Sequence, residues 1–331
     1  MSAHAESAAR AVVATLGAGR MGRGIAQAFA YGGHDVWLID YKPRSAAELS
    51  ALRAAALAEI DGSLRALVEL GVCAEADRLR VMQRIRFAGR DEAPAALHTA
   101  AVVFEAVPEV FAAKREALAF ADARTDPRTI IASTTSTFLV STLAGFVAGS
   151  SRFLNAHWLN PAYIVPLVEL SPHAATAPDV LASLRQLLTE LGKVPVVCAS
   201  APGYIVPRLQ ALIMSEAARM IEEGVASPRD IDLATRYGLG LRYAAMGVVE
   251  FIDYGGNDTL FYASSYLAAA LGPRYEPPAI VKRRMDDGRI GLKTLQGFYD
   301  YRGVDEAAYR KDVLARILAM LKHLGLLRPP R

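Results

Sequence analysis

A histidine and a glutamate lie twelve residues apart in a segment suited to proton transfer. His157 follows residues 153–156, an apolar run with the length and composition of a β-strand. Glu169 lies on the next segment, where a carboxylate could orient the imidazole and stabilise its protonated form. Because imidazole titrates near neutral pH, the pair suits a general base and its partner. The same spacing also fits a histidine that is hydrogen-bonded only for structural reasons.

Further polar side chains follow predicted strands and could contact a substrate beside this pair. Asn160 comes three residues after His157, and a run of hydroxyl side chains at 133–137, which includes Ser136, follows the predicted strand 129–132. Ligands of an open α/β sheet bind outside the carboxyl ends of its strands. The hydroxyl groups could therefore hold a substrate oxygen, although a Ser/Thr-rich helix cap has the same composition.

A glycine-rich turn lies between two apolar runs within the first forty residues. Gly17, Gly19 and Gly22 form G-x-G-x-x-G after the predicted strand 11–16 and at the start of a predicted helix. Glycine at these positions permits the tight turn, the approach of a pyrophosphate and the close packing of helix on strand. Arg20 and Met21 open the helix, whose free N–H groups would bind the phosphates. A dinucleotide site is predicted here.

Asp40 indicates which dinucleotide binds. It ends the second predicted strand, about twenty residues after the glycines, where a carboxylate accepts hydrogen bonds from the adenosine ribose and repels a 2′-phosphate. The prediction is therefore NAD, although Lys42 and Arg44 follow closely and could weaken the preference over NADP. Hydride removal from a carbinol requires a base for the hydroxyl proton, and His157 suits that role.

The distribution of apolar runs predicts two domains after a short tail. Residues 1–10 have no apolar core and are expected to form a flexible tail. Short apolar runs alternate with helical patterns over residues 11–200, which predicts an α/β Rossmann domain with a doubly wound, mostly parallel sheet. Residues 201–331 consist almost entirely of helical patterns and loops, which predicts an all-α second domain.

Composition and charge exclude several other classes of protein. The formal net charge is only +3, with acids and bases mixed along the chain, so a nucleic-acid partner is not expected. Cys73 and Cys198 have neither metal-ligand nor C-x-x-C spacing, so no metal site is expected, and two reduced thiols suit a cytoplasmic protein. No uninterrupted apolar stretch approaches 18 residues, so no membrane span is expected.

Seven segments between about residues 11 and 302 carry a family resemblance. They are 17–40, V-F-E-A-V-P-E at 103–109, A-S-T-T-S-T at 132–137, A-H-W-L-N-P at 156–161, P-L-V-E at 166–169, P-G-Y-I-V at 202–206, and G-R-I-G-L-K-T at 288–294 with G-F-Y at 297–299. In this order they resemble the L-3-hydroxyacyl-CoA dehydrogenase family.

The resemblance implies the oxidation of a 3-hydroxy group with NAD, by a Rossmann domain and a helical C-terminal domain that forms a homodimer. Carried over by position, it makes His157 the general base and Glu169 its partner. Ser136 and Asn160 would contact the hydroxyl or carbonyl group of the substrate. Glu109 would lie near the nicotinamide.

Two departures from the family pattern bear on the substrate. The family motif P-G-F-I-V-N-R-L offers an asparagine where this chain has Pro207, so one polar contact is lost or supplied elsewhere. The predicted helix at 45–70 contains Arg53 and Arg65 but no lysine, which weakens the case for binding CoA phosphates. Segments within 166–178 and 215–244 resemble L-gulonate 3-dehydrogenase and lambda-crystallin, a branch that, like the carnitine dehydrogenases, oxidises free 3-hydroxy acids.

The sequence therefore favours a small free 3-hydroxy acid as substrate, with a 3-hydroxyacyl-CoA thioester as the alternative. Arg242 could bind the carboxylate of a free acid, or it could be a structural arginine at a helix end. An NAD(H)-binding protein without catalytic activity is the alternative from another class, and Pro207 is the feature that supports it. The presence of His157, Glu169 and their polar neighbours argues against that alternative.

Overall fold

The structure, a computed structural model, describes residues 10–327 and divides into two compact units. The first unit ends at Ile213 and the second begins at Met214. The predicted tail lies outside the described residues, except for Arg10. The predicted domain boundary near residue 201 stays a prediction. No helix among residues 10–327 is long and apolar enough to cross a bilayer.

One eight-stranded sheet forms the centre of the first unit. Its strands are β1 (Val12–Leu16), β2 (Asp35–Ile39), β3 (Ile85–Ala88), β4 (Val102–Glu105), β5 (Ile130–Ser133), β6 (Phe153–Trp158), β7 (Leu167–Pro172) and β8 (Val194–Val197). They lie in the order β3-β2-β1-β4-β5-β6-β7-β8, and every neighbouring pair is parallel except β6 and β7. The doubly wound, mostly parallel Rossmann sheet predicted from the sequence is confirmed.

Helices cover both faces of this sheet, so its central strands are buried on both sides. The helices of the first unit are α1 (Arg20–Tyr31), α2 (Ala46–Glu69), α3 (Glu75–Gln83), α4 (Ala93–His98), α5 (Phe111–Asp122), α6 (Val140–Ala144) and α7 (Pro178–Glu190). Apolar side chains of α1, α2 and α7 pack on one face. Those of α4, α5 and α6 pack on the other. This two-sided burial explains why β1 and β4 are almost continuously apolar.

Local signals fix where α1 and α2 begin. Ser45 caps α2 by accepting a hydrogen bond from the N–H of Glu48, whose carboxylate returns one to the N–H of Ser45. The sequence-predicted start at 45 is therefore confirmed. Helix α1 begins at Arg20, directly after Gly19, so its first turn contains Gly22 of the motif.

The second unit is built from helices and turns, as predicted. Helix α8 begins in the first unit and continues into the second. The remaining helices all belong to the second unit. Their bounds are α8 (Val206–Glu222), α9 (Pro228–Ala234), α10 (Leu241–Ala245), α11 (Val248–Gly255), α12 (Asn257–Leu271), α13 (Ala279–Asp286) and α14 (Glu306–His323). The fully buried carboxylate of Asp253 accepts the N–H groups of Phe298 and Tyr299 at 2.9 and 2.8 Å. The G-F-Y segment is therefore a structural anchor in this unit.

Candidate active site

The glycine turn between β1 and α1 has the geometry that a bound pyrophosphate requires. Gly17 has φ +122°, and a Cβ there would lie 2.6 Å from the carbonyl oxygen of Ala106. A Cβ on Gly22 would meet the carbonyl oxygen of Gly17 at 1.8 Å, so helix and turn are in direct contact. A Cβ on Gly19, by contrast, would point into open space at the N-terminus of α1. That space, beside unpaired helical N–H groups, fits a phosphate.

Asp40 lies where the adenosine ribose of a bound dinucleotide would be recognised. It follows β2 directly, its N–H donates to the carbonyl of Ala88 at 3.0 Å, and the residue is only 5% exposed. Arg44 donates to its carboxylate in a short ion pair. The carboxylate is thus held rigidly, and Arg44 places a positive charge beside the position of the ribose hydroxyls.

His157 and Glu169 form the predicted pair. They lie opposite each other on β6 and β7, and Nδ1 of His157 is 2.7 Å from Oε2 of Glu169. A carboxylate at that distance accepts a hydrogen bond from Nδ1–H, which leaves Nε2 as the ring nitrogen able to take a proton from a substrate. Burial raises the pKa of Glu169, but the hydrogen bonds from His157 and from two backbone N–H groups outweigh it and the net pKa is lowered. Glu169 is therefore an ionised partner.

The second oxygen of Glu169 binds the start of α8. Its Oε1 accepts the N–H groups of Ile205 and Val206 at 2.9 and 2.8 Å. Pro207 follows within the first turn of α8, where a missing N–H costs nothing. Glu169 thus connects the histidine to the N-terminus of a helix, whose dipole favours a negative charge. This connection also explains why the first compact unit continues beyond residue 201.

Tyr204 stacks on the imidazole of His157. The two rings are 5.0 Å apart between centroids and 9° from parallel. The Tyr204 hydroxyl donates to the carbonyl of Thr135 and accepts from Asn155, both at 2.9 Å. Tyr204 has φ +44°, a conformation that costs a bulky residue about 1–3 kcal/mol. The stacking and both hydrogen bonds offset that cost and fix the imidazole plane. The sequence did not identify this residue as part of the site.

The hydroxyl run after β5 serves the capping role that the sequence allowed, and its contact with a substrate stays a prediction. Thr135 accepts the N–H groups of Thr137 and Phe138 at 3.2 and 3.0 Å, so it caps the turn. It also donates to the carboxylate of Glu109 in a short hydrogen bond. Ser136 is exposed, and its hydroxyl is available to a ligand.

A buried cation supports this turn from below. The fully buried ammonium group of Lys114 lies 3.0 Å from Glu105 and 3.2 Å from Glu109. Glu105, also fully buried, accepts from the hydroxyl of Ser133 at 2.5 Å. Lys114 and Glu105 were not identified as parts of the site from the sequence, and Ser133 was predicted only as a member of the hydroxyl run at 133–137. The sequence shows only a glutamate at the end of an apolar run and a lysine nine residues later. That pattern is too common to predict a buried cluster.

The predicted site residues of the first unit gather around one groove of about 630 Å³, which we call the cofactor groove. Gly22 and Glu169 do not line it, since Gly22 packs on Gly17 and Glu169 lies behind His157. The predicted residues that do line it are Gly17, Gly19, Arg20, Met21, Asp40, Glu109, Ser136, His157 and Asn160.

Arg242, predicted as a tentative substrate contact, lies in the second unit. Its Nε donates to the carbonyl of Gly238 at 2.8 Å, and its guanidinium lies over the ring of Phe251 at 5.1 Å. These contacts suit a structural arginine, and its role toward a substrate stays a prediction.

Replacing Glu169 with Gln should reduce stability in a pH-dependent way. At neutral pH the free energy of unfolding should fall by about 1–3 kcal/mol, because the amide cannot satisfy all three donors. The lowered pKa of Glu169 means that its contribution is present above the ordinary carboxyl pKa and is lost as pH falls through the folded-state pKa. Urea unfolding of both proteins at about pH 7 and pH 4 measures this. If the difference in free energy of unfolding between the two proteins were the same or larger at about pH 4, Glu169 would not be an ionised partner with a lowered pKa.

Two family matches cover nearly all of the described chain. Residues 12–201 match the NAD binding domain of 3-hydroxyacyl-CoA dehydrogenase, and residues 203–301 match the C-terminal domain of the same enzyme. The predicted NAD cofactor and the family resemblance are thereby confirmed.

The matches to individual relatives extend over most of this chain and most of each relative. A lambda-crystallin homolog of Bos taurus is 36% identical over 78% of this chain and 79% of its own. The mitochondrial hydroxyacyl-coenzyme A dehydrogenase of Sus scrofa is 31% identical over 88% of this chain and 91% of its own.

A solved structure shows the same likeness. The 3-hydroxyacyl-CoA dehydrogenase of Archaeoglobus fulgidus has 32% sequence identity and a TM-score of 0.74, and the match covers 96% of this chain and all of that one. Its match extends over both compact units. The chain belongs to the 3-hydroxyacyl-CoA dehydrogenase family of NAD-dependent oxidoreductases.

Proposed function

We propose that this protein interconverts the 3-hydroxy and 3-oxo groups of a small free 3-hydroxy acid. The observation that carries the proposal is the position of His157, which lines the cofactor groove with Nδ1 held by Glu169. A histidine so held has one free ring nitrogen at the place where a proton must be taken up or returned. Ser136 and Asn160 line the same groove and supply hydrogen-bonding groups to the reacting oxygen.

The residues of the first unit suffice for the proton half of this reaction. NAD, when bound, accepts the hydride from the substrate carbon. Nε2 of His157 takes the hydroxyl proton, and Glu169 stabilises the imidazolium that results. Tyr204 keeps the ring plane fixed by stacking on it. In the opposite direction, His157 returns the proton to the carbonyl oxygen.

Helix α2 favours a free acid over a CoA thioester. It carries no lysine, and Arg65 is already paired with Asp61 at 2.8 Å. Arg23, which faces α2 from α1, is paired with Glu59 at 3.0 Å. Of the two arginines on α2 only Arg53 has no ion pair among the described residues, so this helix offers a single unpaired positive charge to the phosphates of CoA. The likeness to the Sus scrofa hydroxyacyl-coenzyme A dehydrogenase keeps the thioester as the second candidate.

A comparison of acetoacetate with acetoacetyl-CoA in NADH oxidation tests the substrate class. The free acid should give the higher kcat/KM, because the binding groups suit a small substrate. The His157→Gln variant serves as the control for enzyme-catalysed turnover. Saturable use of acetoacetyl-CoA at micromolar concentration, with poor use of acetoacetate, would assign the protein to the thioester enzymes. Turnover of neither would favour an NAD(H)-binding protein without catalytic activity.

We also propose that the protein is a cytoplasmic homodimer. The dimer is supported by large apolar side chains exposed on α8 and α12, namely Leu212, Met214, Tyr262 and Tyr266, which are between 62% and 74% exposed. Burial of these side chains in an interface between two copies would remove apolar surface from water and stabilise a dimer. The cytoplasmic location is supported by Cys73 and Cys198, both of which are free thiols.

A further inference from the structure

A second cavity opens beside the cofactor groove, and nothing described above assigns it. It has a volume of about 220 Å³ and lies between α1, the second half of α2 and the segment after β6; we call it the side cavity. Arg20 and Asn160 line both the side cavity and the cofactor groove. A ligand in contact with the reacting groups can therefore extend into it.

The side cavity contains buried donors that lack partners. Gln27 is only 2% exposed; its amide oxygen accepts from the hydroxyl of Ser63 at 2.6 Å, which leaves its Nε2 group without an acceptor among the described residues. Nε of Arg23 is buried and equally unpaired across residues 10–327. A buried donor that stays unsatisfied destabilises the folded protein. A group with several acceptor lone pairs would relieve that destabilisation.

Arg20 adds a net positive charge at the mouth of the side cavity. Arg23 is compensated by Glu59, whereas no carboxylate in the described part of the chain forms an ion pair with Arg20. Arg20, Arg23 and Gln27 are spaced at i, i+3 and i+7 along α1, so all three lie on one face of that helix. The face presents donors and an uncompensated cation, which together select an anion with oxygen acceptors.

We propose that the side cavity binds the carboxylate of the substrate, with Arg20 as its cation and Gln27 and Arg23 as hydrogen-bond donors. A carboxylate offers two oxygens and about four acceptor sites, which matches this donor set. At about 220 Å³ the side cavity is smaller than the 300–1,000 Å³ typical of whole-ligand sites, so it suits the end of a short acid. Asn160 then lies between the carboxylate and the reacting carbon. This inference rests on the proposed function and names the group that makes the enzyme specific for free acids.

Binding of acetoacetate and of its neutral methyl ester to the full-length enzyme–NAD complex, in which no hydride is available to reduce them, is measured by calorimetry. NADH binding to the free enzyme is measured by fluorescence, so the proposal is tested without turnover. Arg20→Leu should weaken acetoacetate binding by about 20-fold or more, because a charge-assisted pair is lost. The dissociation constants of methyl acetoacetate and of NADH should each change by less than about threefold. Arg20→Lys should restore part of the lost acetoacetate affinity. Arg185 is an exposed arginine on α7, and Arg185→Leu is the matched control. It should leave the dissociation constants of acetoacetate, methyl acetoacetate and NADH unchanged.

Gln27→Met provides an independent variant that keeps the positive charge. It should weaken acetoacetate binding by about fivefold or more, since one buried donor group is removed. Equal losses for acid and ester in Arg20→Leu would overturn the proposal. A matching loss of NADH affinity would place Arg20 on the pyrophosphate and would also overturn it. A larger loss of acetoacetate affinity in Arg242→Leu than in Arg20→Leu would also overturn the proposal and would make Arg242 the cation that binds the carboxylate.

The outcome is separable from that of the proposed function. Acetoacetate that binds through Arg20 without being reduced would refute the proposed function and support the side cavity as a carboxylate site. Acetoacetate that is reduced equally well by the wild type and Arg20→Leu would refute the side cavity alone. No saturable binding of acetoacetate to the wild-type complex would overturn the carboxylate site.

Discussion

Replacing His157 with Gln should lower kcat for the reduction of a 3-oxo acid by about 100-fold or more, while NADH binding changes by less than about twofold. Glutamine has a similar polar reach but cannot take up or release a proton near neutral pH. The Nδ1 contact with Glu169 is buried behind the cofactor groove, so its loss does not alter the nucleotide-binding turn. Stopped-flow and steady-state assays of NADH oxidation, with NADH titration by fluorescence, measure both quantities.

A matched control separates this effect from a general response to the loss of a histidine. His98 is exposed at the end of α4, just before β4 begins and therefore at the opposite edge of the sheet. His98→Gln should retain full activity. If His157→Gln retained wild-type kcat, the imidazole would not be the base. If it lost NADH binding in parallel with kcat, the histidine would act on the cofactor site instead.

Replacing Asp40 with Ser should raise the ratio of kcat/KM for NADP to that for NAD by about tenfold or more. A wild-type carboxylate that accepts hydrogen bonds from the ribose hydroxyls would repel a 2′-phosphate. In its absence Arg44, which now pairs with Asp40, is free to bind that phosphate. Two effects therefore act in the same direction, which is why the change in cofactor preference should be large.

Asp35 supplies the control for this experiment. It begins β2, whereas Asp40 follows the end of the same strand, so Asp35→Ser removes an equal charge about one strand length away. Steady-state kinetics with both cofactors should show no change of preference in Asp35→Ser. An unchanged NADP-to-NAD ratio in Asp40→Ser would mean that the Asp40 carboxylate does not face the ribose.

Local signals made the nucleotide-binding half of the fold predictable. Gly17, Gly19 and Gly22 are required by contacts within a single βα turn, and Asp40 follows at a distance set by one helix and one strand. Ser45 and Glu48 cap α2 through side chains three residues apart. Each of these features depends on neighbours in the sequence, so one sequence was enough to identify them.

Two strands of the sheet were not singled out from the sequence, for a physical reason. β3 has four residues and includes the exposed Arg86, and β7 ends in Pro172, so neither has a long apolar run. Both are stabilised by pairing with a neighbour, since β3 adds to β2 and β7 pairs antiparallel with β6. Pairing of this kind is a tertiary effect that the local pattern does not show.

The parts of the site that were not predictable from the sequence depend on contacts between distant segments. Lys114 joins Glu105 to Glu109 only because α5 folds back over the end of β4. Tyr204 reaches His157 through a turn with positive φ, which is not expected for tyrosine. Arg20, Arg23 and Gln27, by contrast, share a helix face, and their spacing was visible in the sequence. Without the fold, however, that face could equally have been in contact with solvent.

We propose that this site oxidises free 3-hydroxy acids with His157 as the base. The kcat/KM of the wild-type protein for acetoacetate relative to that for acetoacetyl-CoA tests this proposal most directly. Measured by NADH oxidation with His157→Gln alongside, the ratio should exceed one, and the variant should lose about 100-fold of the acetoacetate activity. A ratio far below one, or acetoacetate activity that persists in His157→Gln, would contradict the proposal.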